Sequence, residues 1–250
     1  MSRIALITGA TSGIGEEFFK LLKDDPSYDE LWITGRNSAK LLELQDDRTV
    51  TIEADLSRRE DIDAIVRRLY SQKPVIGLLI NCAGLGYKGW VDSQDSGKIS
   101  DTIDVNCEAL SVMCRECIPF MEDGNSGIIN IASSAGFLPQ PGFAVYAASK
   151  SYVISFSRAL GYELKPRRIR VTCVCPGPVM TEFISRSQDG DPNHTGIKKM
   201  TAKQPREVAI RSLKAYRRGR KLYSCGISQK MLHLATKVIP LNWILSAVKW

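Results

Sequence analysis

Short apolar runs separated by helical stretches recur along most of the chain, and that alternation leaves few folds open. Arg3 to Ile7, Leu31 to Thr34, Thr49 to Glu53, Gly77 to Ile80, Gly127 to Ile131 and Ile169 to Cys173 read as strands. Between them, helical patterns cover Gly13 to Lys23, a segment after Ser38, Arg58 to Tyr70, Val105 to Met121 and Tyr146 to Leu164. Strands this apolar need cover on both faces, and each strand-helix-strand unit lays the next strand parallel to the last. The predicted fold class is α/β, a doubly wound parallel β-sheet with helices on both faces. Pro119, Pro139, Pro141, Pro166, Pro176 and Pro178 fall at or beyond the element ends, as a fixed φ and a missing N–H require.

No linker, repeat or low-complexity run divides the 250 residues, so a single domain is expected. Residues 1–227 are expected to form its body and 228–250 an apolar and basic tail. Ser185 to Gly196, rich in Ser, Asp, Gly, Pro and Asn, reads as a disordered stretch or as a lid spanning about 182–204. Arg206 to Arg218 is then helix-like, and Lys221 to Tyr223 forms a last strand. The tail from Met231 to Trp250 is punctuated by Lys and broken by Pro240 into two short helices. It packs on its own domain or on a subunit partner, or else contacts a membrane peripherally.

The first strand begins almost at once, which leaves no room for a secretion signal. Seven cysteines then read as reduced thiols, and the expected location is cytoplasmic, with a membrane periphery as the alternative. Cys107, Cys114 and Cys117 share a helical pattern and are expected to line a packed face rather than a redox or zinc site. With His194 and His233 the only histidines, no metal is predicted. The formal charge of +7 concentrates late in the chain. It implies a solvated basic face or a field for anionic ligands, and no nucleic-acid-binding motif accompanies it.

Three motifs carry chemistry. Thr8-Gly9-Ala10-Thr11-Ser12-Gly13-Ile14-Gly15 follows the first strand and opens a helix, where free N–H groups and the helix dipole favour an anion. In an alternating fold this is a dinucleotide signal, and the sheet is expected to be Rossmann-like. The second strand ends Thr34-Gly35-Arg36, without the acid that would hold the ribose diol of NAD. Arg36 either caps that strand at the surface or pairs with a 2′-phosphate, which favours NADP(H) over NAD(H). Tyr146-Ala-Ala-Ser-Lys150 places a phenol and an ammonium on one helix face, where the cation favours the ionised phenol.

In this order the motifs resemble the short-chain dehydrogenase/reductase family in its compact single-domain form, over roughly Arg3 to Thr181. The resemblance implies a cofactor loop at Gly9, Thr11, Ser12, Gly13, Ile14 and Gly15, with Asp55 and Leu56 against adenine. Asn81-Cys82-Ala83-Gly84 is similar to the family's Asn-Asn-Ala-Gly turn, with Cys82 in place of the second Asn, a departure expected to be local. Pro176, Gly177, Val179 and Thr181 would lie beside the nicotinamide. The implied catalytic set is Asn106, Ser133, Tyr146 and Lys150: Tyr146 as acid or base, Ser133 on the same oxygen, Lys150 on the nicotinamide ribose, and Asn106 holding a water that links Lys150 to solvent.

The expected activity is NADP(H)-dependent hydride transfer to or from a small carbonyl or alcohol substrate. Phe137, Leu138 and Phe143 near the catalytic set tilt the substrate toward a hydrophobic ketone or aldehyde, with a 3-oxoacyl thioester as the alternative. A different class, a non-catalytic NADPH-binding sensor or scaffold, would need none of the four catalytic groups aligned. Broad apolar coverage of the two helices over Val105 to Met121 and Tyr146 to Leu164 predicts a homodimer or homotetramer.

Overall fold

The computed structural model describes residues 1–180, 203–240 and 243. The predicted lid, apart from Lys203 and Gln204, and most of the predicted second tail helix lie outside the described residues. So does Thr181.

Seven parallel strands form one sheet in the order β3-β2-β1-β4-β5-β6-β7. They are β1 (Arg3–Thr8), β2 (Glu30–Gly35), β3 (Thr49–Glu53), β4 (Val75–Asn81), β5 (Gly127–Ile131), β6 (Arg170–Cys175) and β7 (Leu222–Ser224). Each strand feeds two cores by alternation: Ile4 and Leu6 of β1 face one layer, Ala5 and Ile7 the other. In the β1–β4 pairing Ile4 faces Ile76 but Ala5 faces Leu78, so Gly77 forms a bulge. A Cβ at Gly77 would lie 2.8 Å from the Arg3 guanidinium, which packs over the bulge.

On one face pack α1 (Gly13–Leu22), α2 (Ser38–Leu44) and α7 (Pro205–Arg217), through Phe18, Phe19, Leu41, Val208 and Leu213. On the other lie α3 (Arg59–Gln72), α5 (Leu110–Cys117) and α6 (Ala144–Glu163), through Ile65, Leu69, Met113, Val153 and Leu160. This is the doubly wound architecture anticipated from the alternation. Strand order reverses between β1 and β4, and such a switch point opens a crevice at the carboxyl ends of the strands.

One helix differs from expectation. The Val105 to Met121 pattern is the later part of a longer rod: α4 (Ser96–Ile103), a π-helical turn (Asp104–Ala109) and then α5. Asp95 caps the start by accepting from the Lys98 N–H at 2.9 Å. The polar, helix-poor run Ser96-Gly97-Lys98 hid that first turn, and Pro119 ends the α-helix near Cys117. Cys114 and Cys117 are buried against the core as expected, while Cys107 is half-buried.

The tail forms α8 (Ile227–Val238), ending just before Pro240. No described helix is long and apolar enough to cross a membrane.

Candidate active site

A cavity of about 890 Å³ opens at the β1/β4 switch point. Of the residues singled out in the sequence, Gly9, Thr11, Ser12, Gly13, Ile14, Gly15, Arg36, Asp55, Leu56, Ala83, Gly84, Ser133, Tyr146, Lys150, Pro176, Gly177 and Val179 line it. Asn81 and Asn106 do not; both are buried beside it. Asn81 points into the core, where its Nδ2 donates to Asn130 Oδ1 at 2.9 Å, and Asn130 in turn donates to Ser157 Oγ at 3.0 Å.

The anion-binding end is built from backbone. Gly9 and Gly13 have φ of +68° and +57°, conformations that side chains resist. A Cβ on Gly15 would sit 2.1 Å from Gly9 O, so only glycine lets α1 start this close to the loop. Ser12, extended at the N-cap, makes no side-chain cap hydrogen bond, and the first-turn N–H groups of α1 adjoin the cavity. Thr8 Oγ1 accepts from the Cys82 and Ala83 N–H groups at 3.1 and 3.2 Å, tying the backbone of the Cys82–Gly84 turn to a β1 side chain. The Cys82 side chain takes no part in that tie. Burial pushes its thiol up to about 12, so it stays protonated.

At the far end, Gly35 abuts Thr11, and a Cβ there would meet Thr11 Cγ2 at 2.4 Å, so no acidic side chain fits. Arg36, about half exposed, reaches Asp55 at 3.7 Å. Burial alone would raise the Asp55 carboxyl; hydrogen bonds from the Ser57 N–H and hydroxyl, with Arg36 and Arg58 nearby, outweigh it and hold the group below its usual value. The cradle and the cation together fit a dinucleotide phosphorylated at the 2′ position.

At the inner end, Ser133 closes β5 and opens the 3₁₀ turn Ser134–Phe137. Its Oγ accepts from the Ala135 N–H at 3.1 Å and hydrogen-bonds the Tyr146 phenol. A Cβ on Gly136 would lie 2.6 Å from the carbonyl carbon of Lys150, and Ser151 Oγ donates to Gly136 O at 2.8 Å. That close approach of turn to helix fixes Ser133 relative to Tyr146 and Lys150, both on the buried face of α6.

The Lys150 ammonium donates to Ile131 O at 3.2 Å and lies 5.7 Å from the Tyr146 ring centre. Burial pushes the phenol up to about 12, with the Ser133 bond pulling the other way, and burial draws Lys150 down to about 8. The expectation that Lys150 would favour the phenolate is thereby corrected. Desolvation outweighs the Ser133 hydrogen bond, and Tyr146 holds its proton through the neutral range.

The π-helical turn buries Asn106 and aims its amide across the cavity wall. Nδ2 donates to Leu85 O at 2.7 Å and Ser149 Oγ at 2.9 Å, while Oδ1 accepts from the Leu85 N–H at 2.9 Å. Ser149 passes this on by donating to Tyr146 O at 2.8 Å. Sequence reasoning did not single out Ser149; the signal was a serine on the buried face of the Tyr146–Lys150 helix. It also missed Tyr87, Lys88 and Gln140, which line the cavity from irregular loops. Of the three apolar residues expected near the substrate, Phe143 lines the cavity and stacks on Tyr146 at 4.4 Å. Phe137 turns away to stack on His233 of α8, and Leu138 is buried outside the lining.

Residues 3–191 match the family model for short chain dehydrogenase. The chain is 34% identical to the NADP-dependent 3-hydroxy acid dehydrogenase YdfG of Salmonella typhi over 215 residues, which cover 82% of this chain and 85% of that protein. It is 28% identical to the 3-oxoacyl-[acyl-carrier-protein] reductase FabG of Chlamydia trachomatis, over 85% of this chain and 89% of the relative. Among solved structures, a short-chain dehydrogenase from Sphingobium yanoikuyae in complex with NADPH aligns with a TM-score of 0.79 at 27% identity, covering 99% of this chain and 96% of that one. From the loop geometry, the inner cluster and these likenesses together, the chain belongs to the short-chain dehydrogenase family of oxidoreductases.

Proposed function

We propose that the protein is an NADP(H)-dependent reductase or dehydrogenase acting on a carbonyl or its matching secondary alcohol. The observation that carries this reading is the convergence of Ser133, Tyr146 and Lys150 at the inner end of a cavity whose outer end is a glycine-lined anion cradle flanked by Arg36. The relatives and solved structures that name NADP(H) point the same way.

NADP(H), when bound, supplies or accepts the hydride. The first turn of α1 and the Gly9–Gly15 loop hold the pyrophosphate, Arg36 pairs with the 2′-phosphate, and Asp55 and Leu56 flank the adenine. Lys150 would bind the nicotinamide ribose, with Cys82, Ala83, Gly84 and Pro176–Val179 lining the cavity around it. In reduction, the neutral Tyr146 phenol donates its proton to the carbonyl oxygen while Ser133 hydrogen-bonds the same atom, stabilising the charge that develops there. Lys150, protonated below about pH 8, keeps a cation beside the phenol as that proton leaves. Asn106 already spends both amide hydrogens on Leu85 and Ser149, so it braces the Gly84–Leu85 loop against α6. Its Oδ1 keeps one lone pair for the water expected to link Lys150 to solvent.

For the substrate, Phe143, Leu85 and Val179 along the cavity support a hydrophobic ketone or aldehyde. Lys88 and Gln140 line the same cavity and favour a second reading, a 3-oxoacyl thioester or a related 3-oxo acid with a polar or anionic end. A homodimer or homotetramer belongs to this reading. Tyr152, 43% exposed, stacks on Phe156 and shares a hydrogen bond with Ser111, making one surface across α5 and α6.

The test is NADPH and NADH consumption by purified protein across lipophilic ketones, aromatic and aliphatic aldehydes, 3-oxo acids and 3-oxoacyl thioesters. NADPH-linked turnover of at least one class is expected, and the preferred class separates the two substrate readings. Tight NADPH binding with no turnover anywhere would shift the protein to the sensor class.

A further inference from the structure

Helix α8 has two unlike faces. Inward, His233 stacks on Phe137 at 4.5 Å, and Gln229 packs so closely on Gly177 that a Cβ there would lie 2.3 Å from its Nε2. The helix is thus seated on the turn that follows Ser133 and on the Pro176–Gly177 segment of the cavity wall. Outward, Met231, Leu234 and Val238 are 60%, 57% and 74% exposed, and their spacing places them in one stripe. Ile239 and Trp243 extend the exposed apolar surface past the helix. Lys230 and Lys237, both exposed, fall along one edge of the stripe.

Charge indicates what covers this face. No Asp or Glu follows Glu207, whereas nine Lys and Arg do. Arg158, exposed on α6, lies near His233 and adds to the same field. A symmetric contact with a second copy would set these lysines against each other with no acid in the segment to pair with them. An anionic lipid surface supplies the missing charge and also accepts Met, Leu, Val and Trp at the headgroup boundary.

We propose that the outer face of α8 docks the protein on an anionic phospholipid surface, with the Met231–Leu234–Val238 stripe in the interface and the basic edge on the lipid phosphates. The seat would place the Ser133 wall of the cavity beside the bilayer, where lipophilic carbonyls collect. That consequence rests on the hydrophobic-substrate reading; the docking does not.

The test is flotation of the purified full-length protein with phosphatidylcholine vesicles, with and without phosphatidylglycerol, alongside light scattering to measure its mass in solution. Flotation is expected only with phosphatidylglycerol, and it should weaken as salt rises. Lys230→Gln/Lys237→Gln should weaken binding about thirtyfold, as two lysines at an anionic surface imply. Leu234→Glu/Val238→Glu should abolish it while NADPH binding persists; both pairs lie on the outer face, and the charge-neutral pair reports should the glutamates disturb folding. Absence of flotation with either vesicle would overturn the proposal, as would flotation unchanged in both variants. A solution oligomer that the glutamate pair dissociates, without vesicle binding, would instead assign the face to a second copy and equally overturn it.

Discussion

His233 of α8 stacks on Phe137 with ring centres 4.5 Å apart and planes 15° from parallel, which ties the tail to the turn that carries Ser133. The pair joins the last described helix to the active-site wall. His233→Ala should lower stability by about 0.5–1.5 kcal/mol, the range for an aromatic pair. Burial, with Lys237 and Arg158 nearby, holds the imidazole below its ordinary 6.5. For a base depressed by folding, stability is unaffected above the unfolded value and is lost as pH falls from there through the lower folded value. Thermal unfolding between pH 7.5 and 5 should therefore show a steeper loss of Tm in the wild type than in His233→Phe.

Glycines separate close approach from spare space. Gly15→Ala drives a Cβ to 2.1 Å from Gly9 O, and an overpacking cost of about 1–3 kcal/mol with weakened NADPH binding is expected. Gly161→Ala, whose Cβ would meet Val171 at an ordinary 3.5 Å within α6, should stabilise by about 0.5–1 kcal/mol through helix propensity. Denaturant melts and NADPH fluorescence titrations of the two variants check both signs.

Much of this was legible because strand burial and glycine spacing are local signals. Apolar runs such as Ile4–Ile7 and Ile128–Ile131 have to be covered on both faces, and Gly9, Gly13 and Gly15 announce a loop that only glycine can make. What escaped was set by packing. The start of α4 is polar, and the π-helical turn that buries Asn106 leaves no periodic trace. Phe137 and Phe143 look alike in sequence, yet α8 claims one and the cavity the other. The balance that keeps Tyr146 neutral depends on burial, which the spacing to Lys150 does not report.

A buried Lys150 is costly to stability. Burial draws its ammonium from 10.5 to about 8, so the wild type gains stability as pH rises from about 8 toward 10.5, where only the unfolded chain stays protonated. Lys150→Met removes that cost of about 3 kcal/mol. The variant should have a higher Tm than wild type at pH 7, an advantage that shrinks toward pH 10, and it should lose turnover. Equal Tm shifts at both pH values would contradict the assignment.

Arg36 faces the only described neighbour that forms an ion pair with it, Asp55, at a loose 3.7 Å, and remains available to an anion. Arg36→Leu should weaken NADPH binding about ten- to a hundredfold, the worth of a charge-assisted contact, and leave NADH binding nearly unchanged. Isothermal titration with both dinucleotides measures the ratio.

The most direct measurement compares Tyr146→Phe with the wild type in two assays on one preparation: NADPH binding by fluorescence and carbonyl reduction with the best substrate found. The phenol lost is the proposed proton donor, while the ring and its stack on Phe143 remain. The expected result is unchanged NADPH affinity with turnover reduced by at least about a hundredfold, the weight of general acid catalysis. Turnover within a few fold of wild type would contradict it.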